Sequence, residues 1–414
     1  MAEITSILDT DLYKLTMQQA VLRQFPDAVA KYRFTNRSQN MYFTAECVGQ
    51  FRNTVAKLKD LALTKEERIW LANKCPYLKS DYLDYLEQYR YKPEQVVIKF
   101  TPLQGDANRG QVEMTAEGPW IETILWEIPL MALLSETYFR VVDTDWNNEK
   151  QVERAYRKGK DLLSVGSTFS EFGTRRRRSF AVQDEVVQGL IHAERDGYGA
   201  QTGGKLLGTS NVHLAHKYGL TPIGTIAHEW FMATGAVYGY EGANIRALSL
   251  WEQVYPPSEM SGLLICLTDT FSSDAFFREF IHVPEMVKRW RLRQDSGDPV
   301  EYVAKAKALY DSLGIDASEK PIVFSDSLNV DKANAIKAAC DAAGLKCSFG
   351  IGTFLSNDFT KANGTGTSKA LNMVIKLSSI NQIPCVKISD DIGKNTGEKE
   401  VVRYVKEFYR IPSE

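Results

Sequence analysis

Short apolar runs typical of β-strands alternate with amphipathic helical stretches from about residue 160 onward. The clearest unit is RWRLRQDSGDPVEYVAKAKALYDSLG, which starts at Arg289. Its strand-like run ends near Asp295, Asp298 stands at the N-cap position of the next helix, and Gly314 ends that helix. The pattern therefore predicts a strand followed by a capped helix, the repeating unit of parallel α/β folds.

About seven such strands are predicted, and a polar or glycine-rich segment follows nearly all of them. Their predicted ends lie near Phe172, Thr209, Gly224, Thr268, Asp295, Ser325 and Ile351. In a parallel β/α barrel these ends meet on one face, where enzymes of this architecture build their sites. We expect an irregular barrel over residues 159–369, because seven strands are one short of the regular eight. An open doubly wound sheet is the structural alternative.

The first 155 or so residues follow a different pattern. LTKEERIWLANKCPYLKSDYLDYLEQY is helical, whereas AKYRFTNRS, EQVVIKFTPL and GQVEMTAEGPW have the pattern of antiparallel strands. Two late strand-like runs, LNMVIKLSSI and IPCVKISDD, follow a glycine-containing loop and are expected to rejoin this region. The prediction is an α+β domain made of residues 1–158 with 370–414, around an inserted barrel.

Composition narrows the function classes. The 414 residues carry 50 Lys+Arg against 52 Asp+Glu, so no global positive field favours nucleic acid as a partner. The six cysteines include no C-x-x-C pair, which argues against a disulfide framework and a zinc site and favours a reducing, cytoplasmic location. No apolar run approaches the roughly 20 residues that span a bilayer, so no membrane association is expected.

Four consecutive arginines follow the first barrel strand, in SEFGTRRRRS. Thr174 is expected to cap the helix that carries them, and side chains at about 100° intervals allow at most two to face the strand end. An anion at the helix terminus would receive bidentate hydrogen bonds there. A solvated charge run and a nucleic-acid patch are the alternatives, and the position at a strand end favours the anion site.

One of the five histidines, His228 in GTIAHEW, lies at another predicted strand end. The aspartates that could converge on the same face are Asp269, Asp295, Asp298 and Asp326. One of them could fix the histidine tautomer and leave a ring nitrogen free as a nucleophile or base. A packed or capping histidine is the alternative. Strand-end aspartates also suit a ribose diol and a magnesium-bound pyrophosphate.

Two glycine-rich stretches differ in what they predict. GAQTGGKL, residues 199–206, approaches a Walker A loop, but leucine follows the lysine and a strand-like run follows that, so we reject it. FGIGT, residues 349–353, is a better phosphate cradle, because its glycines let backbone N–H groups approach an anion. Near the N-terminus, LDTDLYKLTM reads as a capped helix with Tyr13 in the core.

Taken in order, these motifs resemble the nicotinate phosphoribosyltransferase family over essentially the whole chain, with its fungal-type members and close bacterial relatives the most similar. The motifs that carry the resemblance are TDLYKLTM, YRFTNRS, SEFGTRRRRS, LLGTSN, GTIAHEW, LTDTF, RQDSGDPVEY, FSDSLN, FGIGT and NMVIKL. The resemblance implies a type II phosphoribosyltransferase-like fold. It also implies transfer of the phosphoribosyl group from phosphoribosyl pyrophosphate to nicotinate, which gives nicotinate mononucleotide and pyrophosphate in NAD salvage.

ATP as a co-substrate, a phosphorylated histidine, Mg²⁺ and a homodimer are further implications of the resemblance, with a nuclear location possible beside the cytoplasmic one. His228 matches the phosphorylated histidine and Asp269 the carboxylate that orients it. Arg293 and Asp295 match residues at the phosphoribosyl group, with Asp295 counted among the catalytic residues. The resemblance assigns no metal ligand.

The resemblance also assigns the residues around the base. Phe172 and Tyr13 match an aromatic pair that sandwiches the pyridine ring, which replaces the core interpretation of Tyr13, and Asp11 matches a neighbour of that tyrosine. Arg175 matches an arginine directed at the base and the reacting centre, with Arg176, Arg177 and Arg178 left as pyrophosphate contacts, inter-subunit contacts or surface.

The remaining matches are to the sugar and its phosphate. Asp326 matches a ribose or phosphate neighbour, and Gly352 with Thr353 match the loop for the 5′-phosphate.

Ser210 in LLGTSN bears on the choice of base. The related nicotinamide-using enzymes have an aspartate there, which can accept from an amide NH₂ and would repel the carboxylate of nicotinate. Serine removes that repulsion, so nicotinate is the expected base. A nicotinamide or quinolinate phosphoribosyltransferase is the enzymatic alternative, and an anion- or nucleic-acid-binding protein is the non-enzymatic one.

Overall fold

The structure is a computed structural model that describes residues 4–38, 40–258, 261–391 and 394–412. Over these ranges the α-helices are α1 (Leu12–Gln24), α2 (Ala45–Lys57), α3 (Lys65–Lys74), α4 (Ser80–Gln88), α5 (Trp120–Thr123), α6 (Glu127–Val141), α7 (Gln151–Ser164), α8 (Phe180–Arg195), α9 (Val212–Tyr218), α10 (His228–Tyr238), α11 (Ala243–Val254), α12 (Ser273–Phe280), α13 (Pro284–Arg289), α14 (Pro299–Ser312), α15 (Val330–Ala342), α16 (Thr353–Ser356) and α17 (Lys399–Tyr409). Within the same ranges, no helix has the length and apolar character needed to cross a membrane.

The strands of the described residues form one antiparallel sheet, one parallel sheet and a small ribbon. They are β1 (Val29–Asn36), β2 (Phe43–Thr44), β3 (Val96–Leu103), β4 (Asp106–Pro119), β5 (Thr168–Glu171), β6 (Lys205–Thr209), β7 (Ile265–Leu267), β8 (Arg291–Gln294), β9 (Ile322–Phe324), β10 (Cys347–Ile351), β11 (Phe359–Thr360), β12 (Thr367–Ser368), β13 (Met373–Ile380) and β14 (Ile383–Pro384).

The antiparallel sheet joins the two ends of the chain. Its order is β14-β13-β1-β4-β2, with β3 also paired to β4. Tyr32 in β1 lies opposite Ala116 of β4 on one side and Leu377 of β13 on the other. The first late strand-like run therefore returns to the N-terminal sheet, as expected. The domain boundaries stay a prediction.

The parallel sheet has the order β6-β5-β10-β9-β8-β7. Phe349 of β10, for example, pairs with Phe169 of β5 and Phe324 of β9. The sheet and the helices around it confirm the predicted irregular β/α barrel beside a separate antiparallel sheet.

The third predicted barrel strand, the one ending near Gly224, is not a strand. It makes one isolated parallel bridge, between Thr209 and Pro222, and then the Thr225 hydroxyl donates to the Leu263 carbonyl (2.8 Å) just before β7. Proline has no N–H to donate to a ladder, so a regular strand cannot form through Pro222. This segment lies between the edge strands β6 and β7 and makes the barrel irregular.

The strand and capped helix predicted from local sequence around Asp298 are present. β8 ends at Gln294, and the Asp298 carboxylate accepts from the backbone N–H groups of Val300 (2.7 Å) and Glu301 (3.0 Å). Pro299 occupies the first position of α14, where its missing N–H costs nothing. All the signals here come from neighbouring residues, so the prediction did not depend on the rest of the fold.

The expected helix start at Thr174 is wrong. Residues Thr174–Arg176 form a single 3₁₀ turn, and α8 begins at Phe180, where the Ser179 hydroxyl accepts from the Val182 N–H (3.1 Å). The Thr174 hydroxyl is buried and accepts instead from the side-chain amide of Gln183 (3.0 Å). The arginine run therefore precedes the helix rather than forming its first turn.

The structure also shows the environments of the cysteines and of the Walker-like stretch. All six cysteines are free thiols. The Walker-like stretch leads into strand β6, which begins at Lys205, where a P-loop requires a helix.

Candidate functional site

A cavity of about 990 Å³ opens at the carboxyl ends of the parallel strands. It is lined by most of the predicted substrate residues: Tyr13, Phe172, Arg175, Arg293, Asp295, Asp326, Gly352 and Thr353. The remaining predicted residues, Asp11, Ser210, His228 and Asp269, do not line it and are buried behind its wall. The fold thus brings the predicted set together, with some members in the wall and others behind it.

The turn after β5 places Phe172 and Arg175 in the cavity. The Phe172 N–H donates to the Ile351 carbonyl (2.8 Å), which ties this turn to the end of β10. A Cβ on Gly173 would lie 2.2 Å from the Ser356 hydroxyl oxygen and 2.6 Å from a carboxylate oxygen of Glu171, so only glycine fits. The Arg175 guanidinium lies 6.0 Å from the centre of the Tyr13 ring, within reach of a cation–π contact.

The four arginines have four different environments. Arg175 lines the cavity with 38% of its side chain exposed. Arg176 also lines the cavity and donates to the Met373 carbonyl (2.9 Å), and burial together with neighbouring Arg175 lowers the pKa of Arg176 to about 10.

The last two arginines of the run belong to the core. Arg177 makes a bidentate pair with Asp9 (2.6 and 2.7 Å), and Arg178 lies over the Phe139 ring at 3.6 Å and donates to Ser368. Both side chains are fully buried. The surface, pyrophosphate and inter-subunit roles left open for Arg177 and Arg178 are therefore wrong, because these guanidiniums are already paired inside the protein. A nucleic-acid patch loses two of its four cations for the same reason.

His228 is the first residue of α10 and is 5% exposed. Its Nδ1 lies 3.1 Å from the Thr270 hydroxyl, and its Nε2 lies 2.9 Å from a carboxylate oxygen of Asp295 and 3.1 Å from the Lys387 ammonium. Asp295 and Lys387 both line the cavity, so Nε2 is directed toward it. Burial, with the charge of Lys387, lowers the pKa of His228 to about 4, so the ring is neutral at pH 7.

Asp269 is less close to the histidine than the sequence suggested. Its nearer carboxylate oxygen lies 3.9 Å from His228 Nε2, beyond hydrogen-bond distance. Its other oxygen accepts from Lys387 (2.9 Å) and from the Ser296 hydroxyl (2.7 Å). Asp269 therefore acts on the ring through Lys387, and the direct partners of the ring are Thr270, Asp295 and Lys387.

The Asp295 carboxylate is held from several sides. Arg293 donates to it (3.1 Å), as does the Ser325 hydroxyl (2.5 Å), and Ser325 in turn accepts from the Arg293 Nε (2.8 Å). Burial alone would raise the pKa of Asp295, but Arg293, His228 and Lys387 hold that pKa well below its usual range. Asp295 therefore stays an anion at the edge of the cavity.

Asp326 and the loop after β10 also line the cavity. Burial raises the pKa of Asp326, whose carboxylate accepts from the neighbouring Ser327 hydroxyl (3.0 Å). A Cβ on Gly352 would lie 2.9 Å from the Phe172 carbonyl oxygen, so the loop packs closely on the turn before the arginines. Thr353 begins the short α16, whose first N–H groups have no partner within the helix. Such N–H groups can bind a phosphate.

Asp11 and Ser210 pair with each other behind the wall. The Ser210 hydroxyl donates to one carboxylate oxygen of Asp11 (2.7 Å), and the other oxygen is buried without a hydrogen-bond partner. Burial raises the pKa of Asp11, although Arg175 acts against that rise. Ser210 therefore influences the cavity through Asp11 and Arg175 rather than by lining it.

The cavity is strongly cationic in a chain of net charge −2. Among the described residues, nine Lys or Arg line it against two Asp. Those that the sequence analysis did not identify are Arg37, Lys74, Arg291, Lys376, Lys387 and Lys394. Lys376 belongs to the motif NMVIKL and Lys387 to the strand-like run IPCVKISDD, but neither lysine was given a role from the sequence. Burial lowers the pKa of Lys376 to about 8.

A resident divalent cation does not fit the one histidine and carboxylate cluster of the described ranges. His228, Asp269 and Asp295 bring ligand atoms within 4.8 Å of one another. The Lys387 ammonium already contacts both Asp269 (2.9 Å) and His228 (3.1 Å). A metal ion there would face a second positive charge at contact distance, which the cluster cannot compensate.

This arrangement can do two things chemically. The excess of cations can hold several phosphate groups at once. The neutral imidazole, with one nitrogen directed toward those phosphates, has the protonation state of a nucleophile.

Known proteins match this chain over almost its whole length. The model of the nicotinate phosphoribosyltransferase (NAPRTase) family matches residues 167–413, and that of the family's N-terminal domain matches residues 8–135. A probable nicotinate phosphoribosyltransferase of Schizosaccharomyces pombe is 44% identical over 414 residues, covering 99% of this chain and 98% of the relative. The nicotinate phosphoribosyltransferase of Saccharomyces cerevisiae is 42% identical, covering 98% and 94%. A crystal structure of a putative nicotinate phosphoribosyltransferase from Saccharomyces cerevisiae superposes with a TM-score of 0.95 at 40% identity, covering 100% of this chain and 99% of the other.

Proposed function

The chain belongs to the nicotinate phosphoribosyltransferase family, and from that premise we propose that it couples the transfer of a phosphoribosyl group to ATP hydrolysis through His228. It is an enzyme of this family, with nicotinate and phosphoribosyl pyrophosphate as the substrates that the family implies. The proposed products are nicotinate mononucleotide and pyrophosphate, together with ADP and phosphate from the coupled step. The reaction would return free nicotinate to NAD synthesis.

One observation carries the coupling. The Nε2 atom of His228 lies between a carboxylate and an ammonium, at the edge of a cavity lined by nine cations. Thr270 can accept the proton of Nδ1, which leaves the lone pair on Nε2. A buried neutral histidine whose lone pair is directed toward such a cavity has the protonation state that a phosphoryl acceptor needs.

The proposed phosphoryl transfer needs only ATP, His228 and water. The Nε2 lone pair forms a bond to the γ-phosphorus of ATP while the bond from that phosphorus to its bridging oxygen breaks, and ADP leaves with the electron pair. Lys387 then stabilises the added phosphoryl charge, and Asp295 turns away toward Arg293 and Ser325, which already hold it. Water later attacks the phosphorus, returning neutral His228 and inorganic phosphate.

The phosphoribosyl transfer step uses other residues that line the cavity. Phe172 and Tyr13 would hold the pyridine ring between them, and Arg175 would pair with its carboxylate. The base nitrogen forms a bond to C1′ as the bond from C1′ to pyrophosphate breaks. Positive charge develops on the ribose in that transition state, and the ionised Asp295 can stabilise it.

The phosphates have separate places in this proposal. Gly352 and Thr353 offer backbone N–H groups to the 5′-phosphate, and Asp326 accepts from a ribose hydroxyl. The lining lysines and arginines receive the pyrophosphate. We assign magnesium no protein ligand and propose that it arrives on the phosphate oxygens of the substrates, as Mg²⁺ commonly does.

The coupling is tested by incubating the protein with γ-labelled ATP and mapping the incorporated phosphate. We expect the label on His228. His228→Ala should reduce ATP hydrolysis by about 10³-fold while slow, uncoupled nucleotide synthesis remains. His282→Ala, which changes an exposed histidine, is the matched control and should leave both rates unchanged. ADP formation at the normal rate in His228→Ala would refute the role given to His228.

The choice of base is tested separately. Nicotinate, nicotinamide and quinolinate are each supplied with phosphoribosyl pyrophosphate and ATP, and ATP consumed per nucleotide formed is counted. Arg175 in the cavity favours a base with a carboxylate, and nicotinate should be the best of the three. Faster turnover of nicotinamide or quinolinate would overturn that choice. The homodimer and the cytoplasmic or nuclear location stay predictions from the resemblance.

A further inference from the structure

A second set of charged side chains lies directly behind the base-holding wall. Lys14, fully buried in α1, contacts the carboxylates of Glu127 (2.6 Å) and Glu229 (3.0 Å). Glu127 and Glu229 belong to the first turns of α6 and α10. Residues of three helices, α1, α6 and α10, therefore meet at this lysine.

Glu127 reaches from this cluster to the cavity wall. One of its oxygens lies 3.6 Å from the Arg175 guanidinium, and the other lies 3.5 Å from the Tyr13 hydroxyl in addition to contacting Lys14. Glu127 is itself 6% exposed and does not line the cavity. It is therefore the neighbour shared by two cavity residues that come from different parts of the chain.

Lys14 alone does not balance the charges of this set, because it carries one positive charge for two carboxylates. The Arg175 guanidinium supplies a second positive charge beside Glu127, and Lys376 acts on both carboxylates as well. Burial alone would raise the pKa of Glu127, but Lys14 and Arg175 lower it to about 2, while burial raises the pKa of Glu229 in spite of Lys14. Glu127 is thus the carboxylate that stays ionised toward Arg175.

An arginine with 38% of its side chain exposed to a cavity has many rotamers available. A buried carboxylate behind it limits those rotamers. The orientation of a bidentate arginine matters as much as its charge when it binds a planar carboxylate. The same carboxylate restrains the Tyr13 hydroxyl, so one group sets the positions of two contacts with the base.

We propose that Glu127 is a positioning residue for the base: it orients Arg175 and Tyr13 against the pyridine ring and, through Lys14 and Glu229, holds them relative to the helix that carries His228. This inference rests on the proposed function, because it assumes that Arg175 and Tyr13 contact nicotinate. Glu127 acts through these residues and touches no substrate itself.

The first test measures binding rather than turnover. Equilibrium dialysis with labelled nicotinate should show Kd raised about tenfold in Glu127→Gln, because displacement of a binding group by about 1 Å is costly. The Kd for phosphoribosyl pyrophosphate should stay within about twofold of the original value, since Glu127 does not face the phosphates. Glu117→Gln is the matched control, because Glu117 is exposed and pairs with Lys31 on the surface. Unchanged nicotinate binding in a folded Glu127→Gln protein would overturn the proposal.

A second variant covers the case in which Glu127→Gln does not fold. Glu127→Asp keeps a buried anion for Lys14 but is one carbon shorter, so it loses reach toward Arg175. We expect nicotinate Kd to rise about threefold in this variant. A folded Glu127→Asp protein with unchanged nicotinate Kd would overturn the proposal.

A double-mutant cycle separates positioning from general stabilisation. If Glu127 acts through Arg175, adding Glu127→Gln to Arg175→Lys should raise nicotinate Kd by less than about twofold, although Glu127→Gln alone has a larger effect. Two effects that multiply independently would contradict the proposal.

One outcome distinguishes this inference from the proposed function. If the unmodified protein fails to bind nicotinate, the base assignment fails, and crystal structures then test Glu127 directly. A guanidinium of Arg175 displaced by about 1 Å or more in Glu127→Gln would support the positioning role, and an unmoved Arg175 would overturn it.

Discussion

Among the charged side chains that the described residues bury, the cluster around Arg177 and the cluster around His228 differ in whether their groups satisfy one another. Arg177 and Asp9 form a bidentate pair, with one cation for one anion. At His228, a single nitrogen faces both an ammonium donor and a carboxylate acceptor. That nitrogen cannot serve both at once, because it carries either a proton or a lone pair.

The directions of the pKa shifts differ between the two clusters in the same way. Burial opposes ionisation of both Asp9 and Arg177, yet each holds the other charged, so the pKa of Asp9 falls and that of Arg177 rises. For His228 the result of burial is a neutral ring with a pKa of about 4. Burial of charge alone therefore does not mark a site. A site is marked instead where a donor and an acceptor compete for one atom next to a cavity.

The largest effect is expected when the pair between Arg177 and Asp9 is broken. Arg177→Met leaves Asp9 buried without its partner and should lower the free energy of unfolding by about 3–5 kcal/mol. Urea titration measures this. Arg23→Met, which removes an exposed arginine paired with exposed Asp81, is the control and should cost less than about 1 kcal/mol. If Arg177→Met were as stable as the unchanged protein, the pair would not be structural.

The next effect alters the second cluster without removing the histidine. Lys387→Met deletes the positive charge that helps to keep the pKa of His228 low, while Asp269 and Asp295, which both raise that pKa, remain. His228 should then be protonated at higher pH and lose its lone pair there. We expect histidine phosphorylation to fall by up to about tenfold at pH 4 and below, and to recover in part as pH rises, since the contact of Lys387 with the phosphoryl group is also lost.

The pH profile of phosphate incorporation checks this change at Lys387. Its acid limb should move upward by about one pH unit or more. Lys346→Met, at a surface ion pair with Glu319, is the control. An acid limb that stayed in place would show that Lys387 does not influence the histidine.

The last effect concerns Asp11, which pairs with Ser210 behind the wall of the cavity. Ser210→Asp would place a second carboxylate against Asp11 and should shift the kcat/KM ratio of nicotinamide to nicotinate upward by about tenfold. Ser210→Ala removes the hydrogen bond to Asp11 without adding charge, and the ratio should not change in that control. Equal ratios in all three proteins would contradict a role of this position in base choice.

The sequence predicted much of the fold where the decisive groups are neighbours in the chain. The β8 to α14 unit formed as expected, because Asp298 caps backbone groups two and three residues away. The helix start at Thr174 failed for the opposite reason. Its hydroxyl is engaged by Gln183, and nothing in the local sequence distinguishes that contact from a cap.

The candidate site was predicted in part. The strand-end residues came together around one cavity, because parallel strands deliver their carboxyl ends to one face. Their roles stay predictions. Glu127 and Lys387 were not identified, since neither follows a barrel strand nor belongs to one of the family motifs, and the run that contains Lys387 was interpreted only as a strand.

The sequence by itself determined the alternation of strands and helices, the caps, the family motifs and the absence of a strong overall charge. Tertiary structure alone decided which charges are matched inside the core and which face the cavity. The physical reason is distance along the chain. Arg177 meets Asp9 across 168 residues, and Lys387 meets His228 across 159. The hydrophobic pattern of a helix or strand indicates which of its faces is buried. Which buried charges pair depends instead on which distant residues the fold brings next to each other.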